Sequence, residues 1–335
     1  GGTILGSTNK GRFAARAGVD GRAELAPGII DQVRQTFEKL QLEGLIVAGG
    51  DGSLSTALQF HEAGLPVVGV PKTIDNDVGD SEFKLIDHTP GYGSVARYWA
   101  LTVQNANQEN AGSCPADPVL VMQAMGRKIG FIPAAARLAD PDHEMPLLIV
   151  MAESEIGLPD LADAVNDQVR ESGRSLVIVS EGFPVGELGE LTDAFGHTTF
   201  SSSKTTVERV VVNYLNEQGL PARGAARGNV PGTDQRHNMI YASTVDLEEA
   251  YRVGQKAAQI AVEDGSGYMS TILRESGPIY SVRYDKVPLE LVANSERTFP
   301  EAWIAKSRLD VTGDFVRYAR PLIGDGWPSI PLVDG

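Results

Sequence analysis

The chain has a single cysteine, Cys114, in 335 residues. An internal disulfide and any multi-cysteine metal site are thereby excluded, and a reducing compartment suits the composition. Long apolar runs are lacking as well. Nothing approaches the roughly 18 to 20 residues that a bilayer-spanning helix needs. No basic start leads into an apolar segment, so no secretory signal is read and a cytoplasmic location is the default expectation. Positive charge is also scarce, with 29 Lys and Arg against 44 Asp and Glu and a formal net charge of -15. A broad nucleic-acid surface needs clustered cations and is disfavoured. Small phosphorylated ligands are not, because a few arginines can converge locally on an anion.

What is present is the composition of a soluble globular protein, 42% hydrophobic and 22% charged, long enough for two domains. The chain opens at Gly1 in what reads as mid-domain sequence and stops at Gly335 without an obvious terminal element, so a natural chain longer at both ends is expected.

Ile30, Val33, Phe37 and Leu40 recur at helical spacing, and Leu45 to Ala48 form a short apolar run closed by Gly49-Gly50. Leu54 to Ala63 suit a second helix and Val67 to Val70 a second strand. The alternation continues: strand at Val119 to Met122, helix at Phe131 to Leu138, strand at Leu147 to Met151, helix carrying Leu161, Val165 and Val169, strand at Ser175 to Val179. Further helices are read around Val207 to Tyr214 and over Leu247 to Glu263, and the pattern weakens after Gly265. This is the signature of a parallel α/β fold.

Chemistry-bearing residues gather at the predicted strand ends, where open α/β sheets bind ligands. Gly49-Gly50-Asp51-Gly52-Ser53 stands between a strand and a helix. Its backbone N–H groups could cradle a phosphate and Asp51 could hold Mg²⁺, although a tight glycine turn capped by Ser53 would read the same. Pro71-Lys72-Thr73-Ile74-Asp75-Asn76-Asp77 follows the next strand. A mere turn needs one Asp or Asn, and a second adjacent carboxylate adds repulsion, so a paired role is favoured: one group to accept a hydroxyl proton, the other to orient Mg²⁺. Met125-Gly126-Arg127 offers a guanidinium for a transferring phosphoryl group, or an ordinary surface arginine. Ser180-Glu181-Gly182 places a carboxylate at the same edge, for sugar hydroxyls or as a cap. Arg223, Arg227 and Arg236 are an anion-site candidate or a solvated loop.

Taken in order, Gly-Gly-Asp-Gly-Ser, Pro-Lys-Thr-Ile-Asp-Asn-Asp, Met-Gly-Arg and Ser-Glu-Gly resemble the phosphofructokinase family, from Gly1-Gly2-Thr3-Ile4-Leu5-Gly6-Ser7 to about Arg236. The resemblance implies two Rossmann-like three-layer α/β domains with mainly parallel sheets and the active site in the cleft between them. The donor domain would comprise residues 1–102 and 237–290, the fructose 6-phosphate domain 103–236, and residues 291–335 a C-terminal extension. It further implies that Asp75 is the base on the sugar 1-hydroxyl, that Thr73 contacts the transferred phosphate, and that Arg127 stabilises the transition state. Gly50, Asp51, Gly52, Ser53 and Lys72 would meet the donor, with Mg²⁺ on Asp51 and Asp77. Met125, Gly126 and Glu181 would line the sugar site, and Arg227 and Arg236 would bind the 6-phosphate. Because family members share such arginines between subunits, a homodimer or homotetramer is implied.

Glycine at Gly52 leaves room for the α-phosphate of ATP where pyrophosphate-dependent members tend to carry an aspartate. Lys72 is usual in those members and occurs in some ATP-dependent ones. ATP is thus the expected donor, giving the fructose 1,6-bisphosphate of glycolysis, and pyrophosphate is the alternative. Three departures stand out. The family's first glycine loop would precede Gly1; Pro118 stands where many members have a second arginine for the 6-phosphate; and Thr8-Asn9-Lys10 replaces an arginine after Gly6-Ser7, with Lys10 or Arg12 as substitutes. The basic residues of the bacterial effector site are not evident around Gln104 to Pro118. Lipid and nicotinamide-dinucleotide kinases share Gly-Gly-Asp-Gly but not the later motifs. A non-catalytic regulatory subunit is the reading from another class, and intact Asp75, Asp77 and Arg127 speak against it.

Overall fold

The computed structural model describes residues 16–17, 23–26, 28–186, 191–192, 198–199, 205–293, 295 and 297–326. The segment Gly1 to Ser7 and the substitutes Lys10 and Arg12 lie outside the described residues.

Two four-stranded sheets organise the chain. In the first, Leu45–Gly49, Val67–Pro71 and Tyr268–Arg274 run parallel and Val282–Pro288 closes the edge antiparallel. In the second, the order is Ala226–Asn229, Val119–Ala124, Ser175–Ser180, Leu147–Val150, all parallel. Every residue of Val67–Pro71, Val119–Ala124 and Ser175–Ser180 is buried, as expected of strands covered by helices on both faces. The expected parallel α/β class is what the chain adopts.

Helices cover the sheets through the stripes that the sequence shows. Leu158–Ser172 and Val207–Gln218 bring Leu161, Val165, Val169, Val211 and Leu215 onto one face of the second sheet. Val253, Ala257 and Ile260 of Thr244–Glu263 pack on Val68, Val70 and Ile272, while Leu54, Ala57 and Phe60 of Asp51–Glu62 take the opposite face. The expected helix over Phe131 to Leu138 is a single α-turn, Phe131–Ala134, continued as a 3-10 turn, Ala135–Ala139. Several elements have no counterpart in the sequence pattern, among them the strands Ala226–Asn229 and Val282–Pro288 and the helix Gly313–Ala319, and two more show why. Tyr92–Ser113 is a 22-residue helix that buries residues around much of its circumference, including Asn107 and Asn110, and so shows no amphipathic stripe. Tyr268–Arg274 carries Ser270 and Thr271 fully inside, which breaks the apolar run expected of a buried strand.

Residues 297–323 return across the molecule. Rings of Phe299, Trp303, Phe315 and Tyr318 cluster with Phe83 and Phe131, for example Trp303 with Tyr318 at 4.7 Å and Phe131 with Phe299 at 5.0 Å. Arg137, fully buried, ties the same segment down: its Nε and a terminal nitrogen reach Asp310 at 2.9 and 2.8 Å, and the other terminal nitrogen reaches Asp140 at 2.8 Å. A buried cation so paired costs several kcal/mol to expose by removing one partner.

Candidate active site

The motif loops meet at the C-terminal ends of the strands of both sheets. On the first sheet, the N–H of Lys72 donates to the carbonyl of Gly49 at 2.9 Å, which aligns the two neighbouring strand ends. Gly50 then passes so close to the next loop that a side chain there would stand 3.5 Å from Thr73 Cβ. The glycine motif therefore abuts Thr73, with Asp51 opening the helix Asp51–Glu62 and Gly52 and Ser53 in its first turn. Lys72 is exposed at the rim.

The Asp75 turn is fixed from within. Asp75 N–H donates to Thr73 Oγ1 at 3.1 Å, Thr73 Oγ1 reaches Asp75 Oδ2 at 3.5 Å, and Thr89 Oγ1 donates to the Thr73 carbonyl at 2.9 Å. Asp75 and Asp77 are both buried, and Asp77 Oδ1 has no hydrogen-bond partner among the described residues.

The second sheet supplies the opposing wall. Arg127 follows Gly126 out of the strand Val119–Ala124 with a left-handed φ of 54°. Glu181 Oε1 accepts from the N–H groups of Gly126 and Arg127 at 3.1 and 2.9 Å and so holds that turn. Only glycine fits next, because a Cβ at Gly182 would meet the carbonyl oxygen of Arg127 at 2.0 Å. Thus aimed, the Arg127 guanidinium stands 3.5 Å from Asp75 and 3.9 Å from Asp77, linking the two sheets' loops. Gln235, in the short helix Asp234–His237, accepts from Met125 N–H at 3.0 Å and from Trp99 Nε1 at 2.9 Å. That bond carries Arg236 to the same edge, where its charge acts on Glu181. No sequence signal distinguished Gln235 or Thr89.

Arg227 does not join the cluster of this chain. Its guanidinium pairs with Glu109 at 2.6 Å and Asp117 at 3.4 Å, at the C-terminal end of Tyr92–Ser113.

The electrostatics follow from burial. Desolvation, then the negative charges of Asp77 and Glu181, push Asp75 up to about 7 against the pull of Arg127 and the Thr73 hydroxyl. Burial likewise raises Glu181, opposed by its two backbone N–H donors and by Arg127 and Arg236. A carboxylate with a pKa near neutrality beside a guanidinium can accept a proton while the arginine steadies negative charge on the atom transferred. As for a metal, the described residues hold no group of three or more His, Cys, Asp and Glu that would cage one. Mg²⁺ bound through one or two carboxylates and the substrate's own phosphates needs no such cage. The open Oδ1 of Asp77 fits that mode.

Two sheets of parallel α/β type with a buried carboxylate and a guanidinium brought together at their strand ends define the class, α/β proteins with a candidate site at the sheet edge. The comparisons narrow it. A family model described as phosphofructokinase matches residues 1–261. The pyrophosphate–fructose 6-phosphate 1-phosphotransferase of Rhodospirillum rubrum is 33% identical over 298 residues, covering 84% of this chain and 70% of the relative. The ATP-dependent 6-phosphofructokinase of Chloroflexus aggregans is 27% identical over 298 residues, covering 84% and 78%. A solved pyrophosphate-dependent phosphofructokinase from Nitrosospira multiformis superposes with a TM-score of 0.76 at 29% identity, over 91% of this chain and 73% of that one. The chain belongs to the phosphofructokinase family, whose members are phosphotransferases.

Proposed function

We propose that this chain transfers a phosphoryl group onto the 1-hydroxyl of fructose 6-phosphate, with Asp75 as the base. The observation that carries the reading is the buried Asp75 carboxylate 3.5 Å from the Arg127 guanidinium. In this mechanism Asp75 takes the hydroxyl proton as the oxygen attacks phosphorus, the bond to the donor's bridging oxygen breaks, and that oxygen leaves with the electron pair. Thr73, hydrogen-bonded to the Asp75 N–H, meets the phosphoryl group in transit, and Arg127 neutralises the charge spread over its oxygens. Asp77 and Asp51 would hold Mg²⁺, which supplies charge neutralisation for the donor phosphates when bound. Met125, Gly126 and Glu181 line the sugar side, and Arg236 neutralises its 6-phosphate. Residues 103–236 form the sugar lobe in this scheme, and residues 1–102 with 237–290 the donor lobe. The ion-paired Arg227 serves a neighbouring subunit's site in a homo-oligomer, where a 6-phosphate competes with Glu109 and Asp117 for its guanidinium.

The donor in this proposal is MgATP. Gly52, in the first turn of the donor-side helix, presents no side chain or charge to an α-phosphate. Pyrophosphate is the second reading, favoured by exposed Lys72 beside Thr73 and by the names of several relatives at 29 to 33% identity. Lysine can swing aside on its flexible stem, whereas a carboxylate at position 52 could not, so the glycine weighs more. The test is kcat/KM with each donor at saturating fructose 6-phosphate, for the unaltered protein and Gly52→Asp. ATP should be the better donor, and the substitution should depress the ATP reaction selectively. Faster turnover of pyrophosphate by the unaltered protein would reverse the assignment.

A further inference from the structure

The family model ends at residue 261, yet the turn that carries Asp75 and Asp77 is gripped from beyond it. Asn76, between the two carboxylates, is fully buried with a left-handed φ of 59°. Its side-chain amide is held at both ends. Nδ2 donates to Tyr318 Oη at 2.9 Å, and Oδ1 accepts from Thr89 N–H at 3.0 Å and from an Arg297 terminal nitrogen at 3.4 Å. Tyr318 Oη in turn donates a hydrogen bond to the carbonyl of Asp87 at 2.9 Å, so a single hydroxyl spans the two loops.

Arg297 is 0% exposed and holds the same turn by its backbone and its fork together. Its N–H donates to the Asp77 carbonyl at 2.9 Å. Nε donates to the Asp80 carbonyl at 3.0 Å, one terminal nitrogen to the Asp87 carbonyl at 2.8 Å, and the other to the Ile86 carbonyl. The plane of the guanidinium lies over the Phe83 ring at 4.4 Å. Among the described residues no carboxylate lies within ion-pairing distance of it, so a charged side chain has been taken inside to organise backbone carbonyls. Such a cation is costly to bury unless each donor is used. All the acceptors belong to residues 76–87, the stretch that begins with the catalytic turn.

We propose that Arg297 and Tyr318 are positioning residues that hold Asp75 and Asp77 in register for phosphoryl transfer, acting through Asn76. The proposal rests on the reading of Asp75 as the base. Without these two groups the residue at φ 59° keeps only the Thr89 bond of the three that offset its backbone strain, and the flanking carboxylates are freed to shift relative to Arg127. Misplacement of a reacting group by about 1 Å is enough to cost on the order of 10²-fold in rate. The sugar-phosphate contacts lie on the other sheet and need not move.

The experiment compares Tyr318→Phe and Arg297→Lys with the unaltered protein and with Asp75→Asn in one assay. It measures thermal unfolding, kcat per folded protein, and KM for fructose 6-phosphate. Tyr318→Phe keeps the aromatic packing and removes only the hydroxyl. It should lower kcat by roughly 10- to 100-fold with KM changed less than about 2-fold, and Arg297→Lys should give the same split. If Asp75→Asn retains kcat, the base assignment fails and this proposal falls with it. If Asp75→Asn is impaired but Tyr318→Phe turns over at the normal rate per folded molecule, the positioning role alone is overturned. Loss of folding in Tyr318→Phe would assign the hydroxyl to global stability and overturn it equally. If Arg297→Lys does not fold, Tyr318→Phe decides.

Discussion

Asp75→Asn should make the protein more stable and nearly inactive, a pairing that follows from the cost of keeping that carboxylate charged. Burial, Asp77 and Glu181 lift Asp75 from 3.8 to about 7, and Arg127 only partly compensates. An acid whose pKa is raised on folding removes stability once the pH exceeds its unfolded value, and the loss is complete above the folded one. At pH 8 the charged Asp75 therefore opposes folding. The shift corresponds to a few kcal/mol, of which the neutral amide should recover on the order of 1 to 3, since an amide is itself imperfectly paired in that site. Losing the contact to Arg127 subtracts little, because that side chain is 41% exposed and such pairs contribute at most about 1 kcal/mol. Chemical unfolding at pH 8 measures the first effect. Steady-state kinetics measure the second, with kcat expected to fall by roughly 10² to 10⁴ and KM for fructose 6-phosphate nearly unchanged. A variant that is less stable than the unaltered protein and keeps most of its kcat would refute the reasoning on both counts.

Other outcomes follow from the same geometry. Arg236→Ala should raise KM for fructose 6-phosphate about 10-fold or more, the effect of losing a charge-assisted bond to phosphate; an unchanged KM in initial-rate assays removes Arg236 from the sugar site. Gly182→Ala should destabilise by about 1 to 3 kcal/mol and lower kcat, because its Cβ would displace the Arg127 carbonyl now 2.0 Å from that position; a normal melting curve would show that the loop can yield. His88 sits buried between Asp87 at 2.8 Å and Glu249 at 2.6 Å, with Arg274 on Asp87 and Tyr280 on Glu249. Burial opposes its charge, but the hydrogen bonds and charges of the two carboxylates prevail and raise it from 6.5 to about 9. A raised histidine stabilises fully below its unfolded pKa and ceases to do so as pH rises through the folded one, so unfolding free energy should decline by a few kcal/mol between about pH 6.5 and 9. In His88→Gln that decline should be absent from the pH series.

The motif loops were legible because their chemistry is local. Gly49 to Ser53, Thr73 to Asp77, Met125 to Arg127 and Glu181 each occupy a few consecutive residues at a strand end, and apolar runs such as Val67 to Val70 announce the strand before them. What escaped reading is held together by distance in the chain. Asn76 meets Tyr318 across 242 residues, and no periodicity in the sequence after Gly265 signals that contact. The strand Tyr268–Arg274 was hidden by its inward Ser270 and Thr271, whose hydroxyls donate to backbone carbonyls rather than facing solvent. Tyr92–Ser113 lies between other elements on most sides, so burial erased the stripe that would have marked it. Arg227 reads as one member of an arginine cluster in sequence, but its strand turns it toward Glu109 and Asp117 while Arg236 turns toward Glu181.

The most direct test is phosphorus NMR of the purified protein mixed with fructose 6-phosphate, Mg²⁺ and, in separate tubes, ATP or pyrophosphate. A new phosphomonoester signal at the sugar 1-position should appear, growing fastest with ATP and absent when either fructose 6-phosphate or donor is omitted. Failure to form that signal with both donors, by protein that is folded and binds fructose 6-phosphate, would contradict the proposed transfer.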